Sequence, residues 1–170
     1  MIKFSVTQNG SRLATSKYNW DEKTKTFSSN ENELVLDFNG IDGVTFKTVY
    51  SCTFNTGDNC TFKTGWNCTF KTVAYCTFKT GENCTFNTGY YCTFNTGDNC
   101  TFNTGENCFA TRYNVKGVIE IPEKKTIKLN GYGISGYTEI KEEIKEEIKK
   151  TNCEGKVVEI EGKKYKLVSV

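Results

Sequence analysis

The sequence predicts a mainly β chain: a β-solenoid with a small N-terminal β cap and a small C-terminal α+β domain. Three observations predict it. Cys52, Cys60, Cys68, Cys76, Cys84, Cys92, Cys100 and Cys108 recur every eight residues without insertion. Phe54, Phe62, Phe70, Phe78, Phe86, Phe94 and Phe102 keep the same step. The unit they define, Cys-Thr-Phe-Asn/Lys-Thr-Gly-x-Asn, alternates as a strand does and then ends in turn-forming residues. So short a unit buries its apolar face only by stacking on its neighbours.

Within a unit, Cys and Phe share one face and must point inward. The first Thr and the Asn/Lys slot share the outer face. The second Thr has the inward parity but adjoins the turn. Gly is expected to supply a positive φ, and the x-Asn pair completes the bend. Each unit is therefore one side of a coil. Leu36–Gly43 reads as a degenerate first unit, and Val44 takes the cysteine slot of the next. Seven close copies follow from Cys52 to Asn107, and the pattern decays over Cys108–Val115. The variable slots suggest three sides per coil. At a step of three units Val49 stacks on Val73, Trp66 on Tyr90, and Asp58 on Glu82 and Glu106. A flattened two-sided coil and an intertwined trimer of chains are the alternatives.

Residues 1–35 read as the β cap, with strand patterns at Ile2–Val6, Tyr18–Trp20 and Lys25–Phe27. The solenoid spans 36–115. After it, Gly117–Ile121 and Thr126–Leu129 read as strands on either side of Pro122, the one proline. Thr138 is placed to cap a helix running to about Lys150, with Ile140, Ile144 and Ile148 on one stripe. A hairpin is expected over about 156–168. Residues 116–170 thus form the α+β domain.

Composition narrows the function. Only 36% of the 170 residues are hydrophobic, too few for a large conventional core. A formal net charge of +2 argues against a protein held to nucleic acid by phosphate contacts, and against a DNA mimic. No stretch has the roughly 18 apolar residues of a membrane span, and Met1–Val6 lacks a signal-peptide pattern. A cytosolic location, or the virion, is the expectation. Eight of the nine cysteines share one repeat slot. Stacked strands hold equivalent Cβ atoms near 4.8 Å apart, whereas a relaxed disulfide wants about 3.8 Å. A ladder of free, buried thiols follows. Without histidine and without a CxxC pair, no metal or other cofactor is expected.

Several groups could carry chemistry. The column Asp58, Glu82 and Glu106 would put carboxylates about 5 Å apart, the separation found in retaining glycosidases. Nothing at exposed corners would part their pKa values, so surface charge is the plainer reading. Gly131-x-Gly133-x-x-Gly136 has the spacing of a phosphate loop, but the hairpin after it is not a βαβ unit. Lys47, Lys63, Lys71 and Lys79 fill the outward slot of the earlier units and read as a solvated face. The aromatic corners are the candidate partner-binding residues: Trp66, Tyr90 and Tyr91, with Tyr50 and Tyr75. Large exposed rings aligned on one edge would suit a protein or glycan partner.

The repeat resembles the octapeptide arrays of proteins encoded in bacteriophage genomes, over roughly residues 44–107. Pentapeptide-repeat proteins are more distantly similar. The first resemblance implies a phage or prophage origin and no defined activity. The expected function is non-enzymatic: a rigid interaction surface that binds a host protein or other macromolecule, with inhibition as one outcome. The alternative is a virion part such as a trimeric fibre or decoration protein, which would bind copies of itself.

Overall fold

The computed structural model describes residues 3–141, 157–160 and 163–166. It shows a β-solenoid of about five turns. The array begins with β4 (Thr26–Ser28) and β5 (Leu34–Phe38) and continues through β6 (Thr45–Lys47), β7 (Thr53–Thr56), β8 (Thr61–Lys63), β9 (Thr69–Lys71), β10 (Thr77–Lys79), β11 (Thr85–Asn87), β12 (Thr93–Thr96), β13 (Thr101–Asn103) and β14 (Cys108–Arg112). Alternate strands belong to opposite sheets. Phe62 pairs with Phe78 and Phe78 with Phe94 in one, Phe54 with Phe70 and Phe86 with Phe102 in the other, all parallel and in register. Each turn takes about 16 residues, or two units, so the coil has two sides. This overturns the three-sided coil expected from the three-unit matches: each strand of the array pairs in parallel with the strand two units along the chain.

The shape of the unit explains two sides. Each strand carries one large inward residue between two small ones. Two such strands, face to face and running in opposite senses, make a lens-shaped section. Phe fills its thick centre, and Cys and the second Thr fill its thin margins. Neighbouring phenylalanines in a sheet stack at 4.8–5.0 Å between centroids and within 13° of parallel. Across the two sheets they meet edge to face at 4.9–5.4 Å and 66–79°. Both arrangements are favoured by the ring quadrupole.

The second Thr is a core residue. Thr56, Thr72, Thr80, Thr88, Thr96 and Thr104 are all buried. From Thr80 onward each hydroxyl reaches the following glycine carbonyl, at 3.2–3.4 Å. The Oγ1 atoms of Thr56 and Thr72 are buried without a partner. The eight ladder cysteines are free and buried, as expected. They also donate weakly to corner carbonyls, Cys68 Sγ to Trp66 O at 3.4 Å and Cys76 Sγ to Ala74 O at 3.3 Å. Hydrogen bonding to Cys68, and then burial, pushes the Cys52 thiol up; Cys60 and Cys92, and then burial, do the same to Cys76.

The corners depart from expectation. The positive φ falls on the last residue of the unit, at 54–57° for Asn59, Asn67, Asn83, Asn99 and Asn107, and for Ser51, Tyr75 and Tyr91. Asn tolerates this region better than most residues. Gly is needed for another reason, close approach. A Cβ at Gly65 would lie 2.5 Å from the carbonyl oxygen of Val49, and one at Gly81 would lie 3.1 Å from Gly65 C and Trp66 N. The ladder therefore continues round the corner, with Gly81 N–H donating to Gly65 O at 2.9 Å and Asn67 N–H to Glu82 O at 3.0 Å.

Antiparallel strands close both ends. At the start, β1 (Ser5–Gln8) and β2 (Ser11–Arg12) pair outward from β5, and β3 (Asn19–Asp21) pairs with β4. At the finish, β15 (Val115–Ile121) lies on β14, and β16 (Thr126–Leu129) lies on β13. Parallel stacking begins earlier than the repeat suggests. Phe27 pairs with Phe46, and Leu36 occupies the phenylalanine slot opposite Phe54. The helix expected from Thr138 does not start there. Tyr137–Ile140 is a strand, β17, paired with β16. The ladder edge left by β16 outweighs the capping signal at Thr138, whose hydroxyl bonds Asn130 Oδ1 instead. Residues 142–150 of that helix lie outside the described residues. The expected hairpin is present as β18 (Val157–Ile160) and β19 (Lys163–Lys166).

Phe70→Ala should cost about 3–5 kcal/mol in denaturant unfolding, and Thr69→Ala on the outer face under about 0.5 kcal/mol. Alkylation mapped by mass spectrometry should leave Cys52–Cys108 unlabelled in the native protein and label all eight in guanidinium.

Candidate functional site

A two-sided coil has two edges, and corners recur on each edge once per turn. The first edge carries Tyr50, Trp66, Glu82 and Asp98. The second carries Asp58, Ala74 with Tyr75, Tyr90 with Tyr91, and Glu106. The five candidate aromatics therefore form two clusters on opposite edges, and Trp66 does not stack on Tyr90. On the first edge Tyr50 packs against Trp66 at 5.7 Å. On the second, Tyr75 and Tyr91 lie parallel at 5.4 Å, and Tyr90 sets its edge against both at 5.6 and 5.7 Å. All five are 40–56% exposed, so their faces are open to a partner. Tyr75 and Tyr91 hold the left-handed backbone that Asn holds in most other coils. Backbone strain of this kind recurs at binding surfaces.

Beside the first cluster runs a trough of about 700 Å³. Its floor is the stacked corner at Gly65 and Gly81, one wall is Tyr50 and Trp66, and the other is Lys63 and Lys79. Tyr113 closes one end, its hydroxyl donating to Thr80 O at 2.5 Å. Tyr113 had no signal in the sequence, because the contact spans 33 residues.

The acidic column is not assembled. Glu82 is on the first edge, Asp58 and Glu106 are on the second, and Ala74 and Tyr90 separate those two. Asp58 instead supports the next corner. Its Oδ1 accepts the N–H of Ala74 at 2.8 Å, as Asp42 accepts that of Asp58 at 2.8 Å. Val49 and Val73 also part, each lying under a corner glycine whose N–H it accepts, Gly65 and Gly89.

The glycine-rich loop offers its carbonyls to a cation. Arg112 fills the buried Thr slot of β14, opposite Thr96. Its guanidinium donates to Ile134 O at 2.6 Å and Gly131 O at 3.0 Å, and pairs with the buried carboxylate of Asp98. Asn114 donates to the same carboxylate at 2.9 and 3.1 Å. Carbonyls aimed at a guanidinium do not cradle a phosphate. The loop is a lock between the last coil and its closing strands. Among the described residues no cluster of three His, Cys, Asp or Glu is arranged to hold a metal, and no helix is long and apolar enough to cross a membrane.

No family model, curated protein or solved structure matches the chain.

Arg112→Met leaves Asp98 buried without its charge partner and should cost about 3–5 kcal/mol by chemical unfolding; adding Asp98→Asn should recover part of that. Ser51→Asn relieves the left-handed backbone without removing a ring contact, and should stabilise by up to about 1 kcal/mol on the same assay.

Proposed function

We propose that this chain is a non-enzymatic, rigid interaction protein, encoded by a phage, that uses its aromatic edges to bind a host macromolecule. The observation that carries the reading is the gathering of five exposed aromatics into two clusters on fixed corners. A partner meeting such rings gains apolar burial and ring stacking with little loss of side-chain freedom, because each ring already rests on its neighbour. The hydrogen-bonded coils hold the rings in place before binding, which lowers the ordering cost further. The left-handed backbone at Tyr75 and Tyr91 supports the same reading, since Asn fills that slot at Asn59, Asn67, Asn83, Asn99 and Asn107. The phage assignment rests on the resemblance of the repeat to arrays in phage-encoded proteins. Antiparallel strands at both ends of each sheet support this reading over an end-to-end fibre, because in-register growth needs an open parallel edge.

Affinity capture from a bacterial host lysate tests it. A specific band should be retained by the unmodified protein and by Lys71→Ala, and lost with Trp66→Ala or Tyr90→Ala. Retention by both aromatic variants would remove the edges as the binding surface. Light scattering should give a single-chain mass, and a stable trimer would favour the fibre.

A further inference from the structure

The trough on the first edge permits a narrower statement, which rests on the edges being binding surfaces. Lys47, Lys63 and Lys79 occupy the same outward slot of β6, β8 and β10 and are paired in register. Strand spacing sets successive members about 4.8 Å apart. All three are exposed, and among the described residues none takes part in an ion pair. Like charges opposed on neighbouring strands destabilise a sheet. The protein does not need them there for folding, because Asn fills the slot elsewhere. The next strand of this sheet has Asn95, and the opposite sheet reads Asn55, Lys71, Asn87, Asn103. Two members of the column, Lys63 and Lys79, line the trough, across from Tyr50 and Trp66.

An occupant of this trough must be flat and apolar on its faces, to lie on the rings and the glycine floor. It must be negatively charged along one side, to meet the column. It must also advance in step with the coils. The geometry points to an anionic polysaccharide, a β-linked polyuronate, lying along the trough with its sugar faces on Tyr50 and Trp66 and its carboxylates on the lysine column. Each pyranose ring of such a chain advances by about one coil step. Alternate rings turn their carboxylates to the same side, about two coil steps apart, so the rings in the trough set one carboxylate against Lys63 and Lys79, and a carboxylate at Lys79 is followed by one level with Lys47, just beyond the trough. The trough spans the three corners at Val49, Gly65 and Gly81, room for about two rings. A nucleic-acid duplex fits less well, since its charges recur about every 3.4 Å along each strand and its paired bases are not free to lie on the rings; a single strand is the oligothymidylate arm of the test below. An extended acidic peptide repeats about every 6.6–6.8 Å on one face and has no apolar ring faces to lay on the aromatics.

Calorimetric titration of the full chain tests this, with a β-1,4-linked glucuronate hexamer as probe. The uncharged β-1,4-glucose hexamer, a hexaglutamate peptide and an oligothymidylate serve as competing arms. The glucuronate hexamer should bind, more weakly as salt is raised, and the glucose hexamer at least tenfold more weakly. Lys63→Asn/Lys79→Asn and Trp66→Ala should each lower affinity for the glucuronate hexamer at least tenfold, and Lys71→Asn should leave it unchanged. The double lysine variant introduces residues the slot already accepts, and its melting temperature should equal or exceed that of the unmodified protein. Absence of glucuronate binding, equal binding of the glucose hexamer, tighter binding of the peptide or oligonucleotide, or indifference to the lysines would each overturn the assignment. Those outcomes leave lysate capture through Trp66 and Tyr90 intact, so the two readings fail separately.

Discussion

The stacked and edge-to-face phenylalanines are the interaction on which everything else depends. Each ring is held by partners in its own sheet and in the opposite one, so no single coil is stable by itself. The array also sets the width of the molecule. One phenylalanine from each side fills the centre of the regular coils, and the smaller Cys and Thr fill the margins. The thin margins bring the corners close together, and there glycine is required so that one corner can rest on the next. The aromatic edges and the trough are consequences of this stacking.

The ends follow from the same constraint. A stack of in-register parallel strands presents an open edge that would recruit further strands. Here the closing strands run antiparallel, and Arg112 ties the last coil to them. It stands in a slot that in earlier coils holds Thr, so the repeat is broken at the place where it must stop. A buried arginine needs acceptors. Asp98 and the carbonyls of Gly131 and Ile134 supply them, which gives the glycine-rich turn a structural role there.

Much of the fold is legible in the residues, and the number of sides in a coil is the exception. The matches three units apart, Val49 with Val73 and Trp66 with Tyr90, grouped like with like by coincidence. Better evidence lay two units apart. Tyr50 and Trp66, Tyr75 and Tyr91, and the run Lys47, Lys63, Lys79 all fall at that step, and the first two pairs are in ring contact. Aromatic pairs that touch are a stronger register signal than two valines, because rings gain from a specific neighbour and small apolar corners do not. The candidate aromatics were identifiable singly. Their division between two edges was not, since it follows from the coil count.

The sequence by itself determined that the chain would stack, where the stack runs and which residues line it. An eight-residue period of alternating parity leaves Cys and Phe one face to bury, and that face has only its neighbours to bury against. Tertiary structure alone decided how many sides close a coil, which corners share an edge, and that Tyr137–Ile140 joins a sheet rather than a helix. Those outcomes depend on packing across the core and on which backbone edge is left unpaired, and both are properties of strands already placed side by side.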